Sequence, residues 1–199
     1  MAISKRKKKF FEVDIPLISK KAQLQAYEIK ELDKRLITYD LTRILRGKSI
    51  MLQLIVDVQG EVAKAHPRKI HMLSYYLRRM MRKRTNYIED SFSLNCKDAQ
   101  MRIKPFLITR RKVSRKVRSA LRNKAKEELI SFAKDKSSEE LFEEILKNRL
   151  QKTLSLKLKK IYPLSLCEIR ALKIEKQEKI DKTPKDSKKE EETTKEQKE

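Results

Sequence analysis

A dense run of basic side chains is the part of this sequence with the clearest chemical use. Arg102–Lys126 carries eleven Lys and Arg residues and no Asp or Glu. Within it, Arg110, Arg111 and Lys112 directly follow an apolar, strand-like stretch, and an arginine side chain can hold two phosphate oxygens at once. Because like charges at this density repel one another unless a polyanion neutralises them, the run predicts a site for RNA or DNA phosphates.

The basic residues that follow are spaced for one face of a helix. Arg115, Arg118 and Arg122 lie three and four residues apart, with Lys116 beside them. Like charges at these spacings destabilise a helix, and phosphate neutralisation would remove that cost. We therefore predict a helix that faces RNA, against the alternative of a solvated basic face.

Two further clusters of cations are candidates for the same role. One lies on and just after a predicted short helix, and the other forms an N-terminal arm. The clusters comprise Arg78, Arg79, Arg82, Lys83 and Arg84 at the helix and Lys5, Arg6, Lys7, Lys8 and Lys9 in the arm. Cations at a helix C-terminus also complement the helix dipole, and a basic arm can serve as a solubilising tail or a targeting signal, so these alternatives stay open.

The residue types that carry catalysis or cofactor binding are scarce. Gly47 and Gly60 are the only glycines, too few for a glycine-rich phosphate loop. No carboxylate pair stands beside a His or Ser in a pattern for acid–base or nucleophilic chemistry. His66 and His71 lie five residues apart in a predicted strand, which would place them on opposite faces. The sequence thus predicts no enzyme, no metal site and no cofactor.

The charge of the whole chain points to the same kind of partner. Its formal net charge is +23 over 199 residues, and the segment from Glu175 onwards is close to neutral, so the excess belongs to the residues before it. Such a balance is typical of a nucleic-acid binder. Cys96 and Cys167 lack the spacing of a disulfide framework or a zinc motif, and no stretch approaches the ~20 apolar residues of a membrane span. We expect a soluble, intracellular protein with two reduced thiols.

Apolar spacing predicts the strands that must position these cations. Alternation of apolar residues indicates strands over 35–45, 49–58, 61–72, 87–96, 101–108 and 164–174. Pro67, inside the third of them, indicates an edge position or a bulge. Residues 17–34 have no clear period and are predicted to be loop with a short helical turn.

Helical periods interrupt and follow these strands. Ser74 is predicted to cap the short basic helix, and apolar residues from Val117 onwards repeat every three or four positions. Ser137 and Glu140 form a capping-box pattern at the start of another helix, whose period continues until Pro163 ends it.

Strands, a short helix, a hairpin, two helices and a closing strand make an α+β fold. Its expected centre is a mostly antiparallel, β-barrel-like sheet with flanking helices, since closure removes unpaired strand edges. Residues 1–9 form a basic arm and residues 10–174 a single RNA-binding domain. Residues 175–199 form a charged tail without aromatic residues, which we expect to be disordered.

Four blocks of residues, in order along the chain, carry a family resemblance. They are Lys7–Phe11, then Tyr76–Arg79 with Arg82–Thr85, then Lys97–Asp98 with Pro105–Arg111, and finally Lys159–Leu164 with Glu168–Arg170. Their content and order resemble the archaeal and eukaryotic small-subunit ribosomal protein family called S-one-e or S-three-A-e. The chain is more similar to the archaeal form, because it shows no long extension of the eukaryotic kind.

This resemblance implies a β-barrel with flanking helices, docked on the platform of the small subunit near the messenger RNA exit. The implied partners are small-subunit ribosomal RNA near its 3′ end, neighbouring ribosomal proteins and messenger RNA near the exit, in the cytoplasm and without a membrane. No catalytic role is implied. From the residues alone, a free-standing RNA-binding regulator or chaperone is the alternative. A membrane-surface protein is disfavoured, because no long basic helix with a lipid-facing apolar stripe is predicted.

Overall fold

A computed structural model describes residues 7–45, 47–60 and 62–177 of the chain. The helices are α1 (Ser74–Met80), α2 (Arg115–Lys134), α3 (Ser138–Leu146) and α4 (Arg149–Leu158). The strands are β1 (Lys9–Ile15), β2 (Lys20–Ala26), β3 (Leu36–Asp40), β4 (Ile50–Gln59), β5 (Val62–Met72), β6 (Tyr87–Glu89), β7 (Phe92–Asn95), β8 (Ala99–Thr109) and β9 (Leu164–Gln177). The fold class is therefore α+β, as predicted.

The strands form one sheet that forks at β5. The order β2-β1-β5-β9-β8-β6 runs along one path, while β4 and then β3 lie on the other side of β5, and β7 pairs with β8. Along one side, β5 pairs first with β1, at Ala63 and Lys64, and then with β9, from Lys69 to His71. The β1–β5 pairing is parallel and the others are antiparallel.

The predicted closure into a β-barrel-like sheet is wrong. β2 pairs only with β1, and β3 pairs only with β4, so the described sheet keeps free edges. β2 presents Lys20 and Lys21 at one edge, and β3 is five residues long. Lysines and short length both discourage pairing with another chain, so an open sheet is tolerated here.

Pro67 marks a β-bulge, which was one of the two predicted alternatives. The β4–β5 register shifts between Gln53 and Leu54, which pair with Lys69 and Pro67, so Arg68 is the extra residue. β5 is not an edge strand, because it has neighbours on both sides, but Pro67 itself lies between the residues that pair with β1 and those that pair with β9. The extra residue reverses the face to which each later side chain of β5 points.

The bulge overturns the expectation that His66 and His71 face opposite sides. They pair with Ile55 and Met51, which have the same parity on β4. Both histidines therefore lie on one face, separated along the strand by about 13 Å at 3.3 Å per residue. His66 instead bonds through Nδ1 to Glu139 at 3.1 Å. The described ranges contain no group of three or more His, Cys, Asp or Glu side chains that could hold a metal ion.

The helices follow the predicted pattern with two differences. α1 starts at Ser74 with Leu73 as its N-cap, and no side chain caps it, so the predicted Ser74 cap is wrong by one residue. Ser137 and Glu140 do form the capping box of α3. The predicted single helix after this capping box is interrupted at Asn148, where a φ of 57° separates α3 from α4. Each helix in the described ranges is too short or too polar to cross a membrane.

Three segments contain more strand than predicted. β1 and β2 occupy residues for which no strand was predicted, and those of β2 were predicted to be loop. β9 continues through Gln177, past the predicted start of the tail at Glu175, and the Glu175 carboxylate accepts a hydrogen bond from Ser93 at 2.8 Å. Residues 178–199 lie outside the described ranges, so the prediction of a disordered tail remains a prediction there.

The core lies between the sheet and the layer formed by α2, α3 and α4. α2 packs on β6 and β7, and α3 and α4 pack on β9. Leu121, Phe142, Phe106, Leu172 and Ile70 are all 0% exposed. Burial of side chains of this size contributes about 1.5–3 kcal/mol each to the free energy of unfolding. This core holds the strand ends, and the cations beyond them, in fixed positions.

Candidate nucleic-acid interface

Strand β8 ends in a buried polar contact that fixes the basic turn after it. The hydroxyl of Thr109, a fully buried residue, donates to the carbonyl of Arg111 at 2.7 Å and accepts from the N–H of Asn86 at 3.0 Å. The Thr109 N–H donates to the Asn86 carbonyl at 2.9 Å. The turn is therefore anchored at the buried end of β8, while Arg110, Arg111 and Lys112 are all exposed.

Asn86 joins this turn to the second basic cluster. Its side-chain Oδ1 accepts from the N–H of Val113 at 2.9 Å, and the next residue, Tyr87, pairs with Ile108 on β8. Asn86 stands two residues after Arg84, so the exposed segment 82–84 is brought beside the exposed turn 110–112. Two clusters that the sequence keeps apart thus share one surface.

The first turn of α2 continues this surface. Ser114 caps the helix by accepting from the N–H of Val117 at 3.4 Å, two residues after Lys112. The exposed residues Arg115 and Lys116 occupy the first turn, which contains no acidic residue. Because the N-terminus of a helix dipole is itself positive, these cations raise an already positive potential. A phosphate bound here would lower that electrostatic cost.

Two further predicted arginines lie along α2. Arg122 is exposed, and Arg118 is half-buried beside the core residue Leu121. The Nε of Arg118 is buried and has no hydrogen-bond partner among the described residues. A buried donor without an acceptor costs free energy, and because this atom is shielded from solvent, Arg118 can offer only its outer guanidinium nitrogens to a phosphate.

α1 brings its arginines to a groove beside the start of β9. The walls of the groove comprise Gly47, Tyr76, Arg79, Met80, Arg82, Ser165 and Leu166. Leu164 pairs with Thr109 at the end of β8, so the groove opens at the end of the sheet that carries the basic turn. We call this combined surface the basic end; it comprises Arg78, Arg79, Arg82, Lys83, Arg84, Arg110, Arg111, Lys112, Arg115, Lys116, Arg118 and Arg122.

The cations of the basic end stand apart from the ion pairs that the described residues form. In residues 7–45, 47–60 and 62–177, no ion pair includes a member of this surface. The pairs that do form use other cations, such as Lys48 with Glu168 at 2.6 Å and Arg170 with Glu89 at 2.7 Å. Internal acids therefore leave the positive charge of this surface uncompensated.

The described part of the N-terminal arm, Lys7–Lys9, lies elsewhere. Lys5 and Arg6 are outside the described residues, Lys7 and Lys8 are exposed, and Lys9 begins β1. In the strand order β1 is separated from β8 by β5 and β9. The structure therefore does not gather Lys7, Lys8 and Lys9 with the other predicted residues.

Asn86 and Thr109 position the basic turn, although neither carries a charge or belongs to a predicted site. One feature of the sequence does point to Thr109: it is a polar residue at the end of the apolar run 105–108. Because the residues of that run are buried, a polar side chain at its end is expected to need a hydrogen-bond partner. Its partner stands 23 residues away, and no local pattern in the sequence marks that pairing.

Neither cysteine is activated as a nucleophile. Burial, with a smaller contribution from Asp98, raises the pKa of Cys96 to about 11. Burial, with a smaller contribution from Glu168, raises the pKa of Cys167 to about 12. Both are free, so at neutral pH both are protonated thiols, and the thiolate is the reactive form.

We predict that iodoacetamide alkylates the folded protein slowly at neutral pH. The rate should keep rising above pH ~8.5, where an ordinary cysteine begins to level off, because the raised pKa delays formation of the thiolate. Mass spectrometry of time points across a pH series measures this, with the denatured chain as the control. Rapid labelling of both cysteines in the folded chain at neutral pH would contradict the prediction.

A forked α+β sheet with uncompensated positive charge at one end, among the described residues, is the arrangement expected of a polyanion-binding protein. Its sequence matches the Ribosomal S3Ae family over residues 4–178. The chain belongs to this family, as its motifs had indicated. It is accordingly a structural constituent of the small ribosomal subunit and not an enzyme, and its place is the cytoplasmic ribosome.

Several archaeal proteins are similar to it over most of their length. The small ribosomal subunit protein eS1 of Nanoarchaeum equitans is 27% identical over 182 residues, which cover 87% of this chain and 92% of the relative. The eS1 protein of Pyrobaculum aerophilum is 30% identical over 186 residues, covering 87% and 84%. That of Methanothermobacter thermautotrophicus is 30% identical over 132 residues, covering 65% and 68%. These relatives agree with the predicted archaeal type.

Proposed function

We propose that the chain binds small-subunit ribosomal RNA through the basic end and braces the RNA that it contacts. One observation carries the proposal: cationic segments distant in sequence meet at one end of the sheet, without carboxylate partners among the described residues. RNA phosphates are the matching ligand, because they supply dense negative charge at regular spacing. Neutralisation at this surface lets RNA segments approach one another.

The proposed location is the platform of the small subunit near the messenger RNA exit, beside neighbouring ribosomal proteins. The family motifs support this location, and messenger RNA near the exit is a further proposed contact. The arm residues Lys5–Lys9 would lie along RNA separately from the basic end, because β1 and β8 occupy different parts of the sheet.

Fractionation of a cell extract tests this proposal. The tagged full-length chain should sediment with small subunits, and ultraviolet light should crosslink the basic end to small-subunit ribosomal RNA. Raising the salt concentration should release it steeply, since log K falls by roughly 0.7–0.9 per neutralised phosphate for each unit of log salt. A chain that stays at the top of the gradient while crosslinking to other RNA would instead be a free-standing regulator or chaperone.

A further inference from the structure

A row of cations crosses the middle of the sheet, away from the basic end. Lys69 on β5 pairs with Lys173 on β9, and Lys173 pairs with Arg102 on β8. Directly paired residues point to the same face, and neighbouring strands lie about 4.8 Å apart. Three positive side chains therefore stand next to one another on three adjacent strands. Gln53 and Ser93 extend the row on the strands at either side.

The row lies on the open face of the sheet. The residues next to its members along the strands, Ile70, Leu172 and Ile103, are at most 2% exposed and point into the core. Because side chains alternate along a strand, the row points the other way. Lys173 and Arg102 are exposed, and Lys69 is half-buried.

Positive charge in this row is only partly compensated. The carboxylate of Glu175 pairs with Arg102 at 2.6 Å, and the hydrogen bond from Ser93, with the charges of Arg102 and Lys173, lowers the pKa of that carboxyl group. Lys69 and Lys173 form no ion pair within the part of the chain that the structure describes. Like charges directly opposite one another destabilise a sheet, so the isolated fold bears a cost that an anion would remove.

Distance separates this row from the basic end. Arg102 and Arg110 are eight residues apart along β8 and its following turn, which corresponds to about 26 Å at 3.3 Å per residue. Electrostatic interactions are screened over ~8–10 Å at moderate salt. A phosphate held at one surface therefore does not neutralise the other.

The side chains of this face favour contact with a backbone over contact with bases. The next row on the same face comprises Asp40, Met51, His71, Ala171 and Lys104. Sheet proteins that bind single-stranded RNA stack its bases on aromatic side chains, including histidine. Neither row contains Phe, Tyr or Trp, and the single imidazole of the two rows, that of His71, is half-buried. Lysine and arginine side chains at fixed spacing match phosphates along a double helix, whose bases are already stacked.

We propose that Lys69, Lys173 and Arg102 form a second RNA-binding surface, which contacts the phosphate backbone of a double-helical RNA segment distinct from the one at the basic end. This inference rests on the proposed function, because it assigns a second contact to the same RNA-bound protein. A protein with two such surfaces can hold two RNA segments at a fixed separation.

The test compares two double variants of the full-length chain. Lys69→Gln with Lys173→Gln removes two charges from the row. Lys30→Gln with Lys34→Gln is the matched control, because it removes the same charge from a segment that also contains Glu28, Glu31 and Asp33. The probes are a 20-base-pair RNA duplex of mixed sequence and a single strand of the same length, in binding titrations at several salt concentrations.

The row variant should bind the duplex about tenfold more weakly than the wild type, with a salt slope lower by about 1.5, since each lost phosphate contact removes roughly 0.7–0.9 from the slope. The control should bind as the wild type does. The melting temperature of the row variant should be unchanged or higher, because a like-charge pair is gone. Weaker binding together with an unchanged or higher melting temperature would show that the variant has lost RNA contacts and not its fold.

Other outcomes overturn the inference. If both double variants bind RNA equally weakly, the effect is one of net charge and not of the row. If only binding of the single strand is weakened, the assignment to double-helical RNA is contradicted. If the row variant binds as the wild type does while a triple variant, Arg110→Ala with Arg111→Ala and Lys112→Ala, binds more weakly, that result contradicts the second surface but not the proposed function. A wild-type chain that fails to sediment with small subunits would contradict the proposed function itself.

Discussion

Replacing Arg110, Arg111 and Lys112 together by Ala is expected to weaken binding to small-subunit ribosomal RNA by about 100-fold or more, since a hydrogen bond to a charged group contributes about 1.5–3 kcal/mol. The salt slope should fall by about 2–3, one phosphate for each lost cation. Filter binding or fluorescence anisotropy with a small-subunit RNA transcript, at several salt concentrations, measures both quantities.

The fold should survive this triple change. All three side chains are exposed, and the Arg111 carbonyl that accepts from Thr109 belongs to the backbone, which Ala retains. Circular dichroism and the melting temperature should therefore match the wild type. RNA affinity equal to that of the wild type in a well-folded triple variant would remove the turn after β8 from the proposed interface.

Local periodicity was sufficient for most of the longer strands that have one buried face, although it missed β1, where only Val13 and Ile15 are buried. β4 alternates from Ile50 to Val56 between buried and half-buried positions, so its apolar pattern shows in the sequence. β2 was missed because only Ala26 among its residues is buried. Its apolar alternation, at Ala22, Leu24 and Ala26, spans only five residues, and the strand is completed by pairing with the preceding strand β1, from Lys9 opposite Ala26 to Ile15 opposite Lys20.

The open, forked sheet could not be predicted from the same signals. Alternation identifies a strand and its buried face, but it does not say which strands become neighbours. On one side, β5 bonds β1 at Ala63 and Lys64 and then β9 from Lys69 onwards. That change of partner divides the sheet into two branches, so it does not close, and the predicted barrel fails at this strand.

The cationic clusters were predictable because charge density is a local property of a sequence. Their meeting at one end of the sheet was not, since it depends on the contact between Asn86 and Thr109. The row across the sheet had no local signal at all, because each strand contributes one cation. The bulge at Arg68 decides that Lys69 falls into register with Lys173, and sequence spacing does not reveal that register.

Thr109→Val should destabilise the protein and weaken RNA binding, although it changes no charge and little volume. The hydroxyl accepts from the Asn86 N–H and donates to the Arg111 carbonyl at a fully buried position. The two hydrogen bonds are part-buried, and each contributes about 0.5–1.5 kcal/mol, so the free energy of unfolding should fall by about 1–3 kcal/mol. For a protein of this size, that lowers the melting temperature by about 2–12 °C.

Thr109→Ser is the matched control, because it keeps the hydroxyl and loses only a methyl group, at a cost of about 1 kcal/mol. Thermal unfolding and RNA titration of both variants below their melting temperatures separate the two roles of this residue. With the turn no longer anchored, the Val variant should bind RNA about tenfold more weakly while the Ser variant binds as the wild type does. If both variants bind equally well, the arginines do not depend on this contact for their position, and the basic end is held together by the β8–β9 and β6–β8 pairings alone.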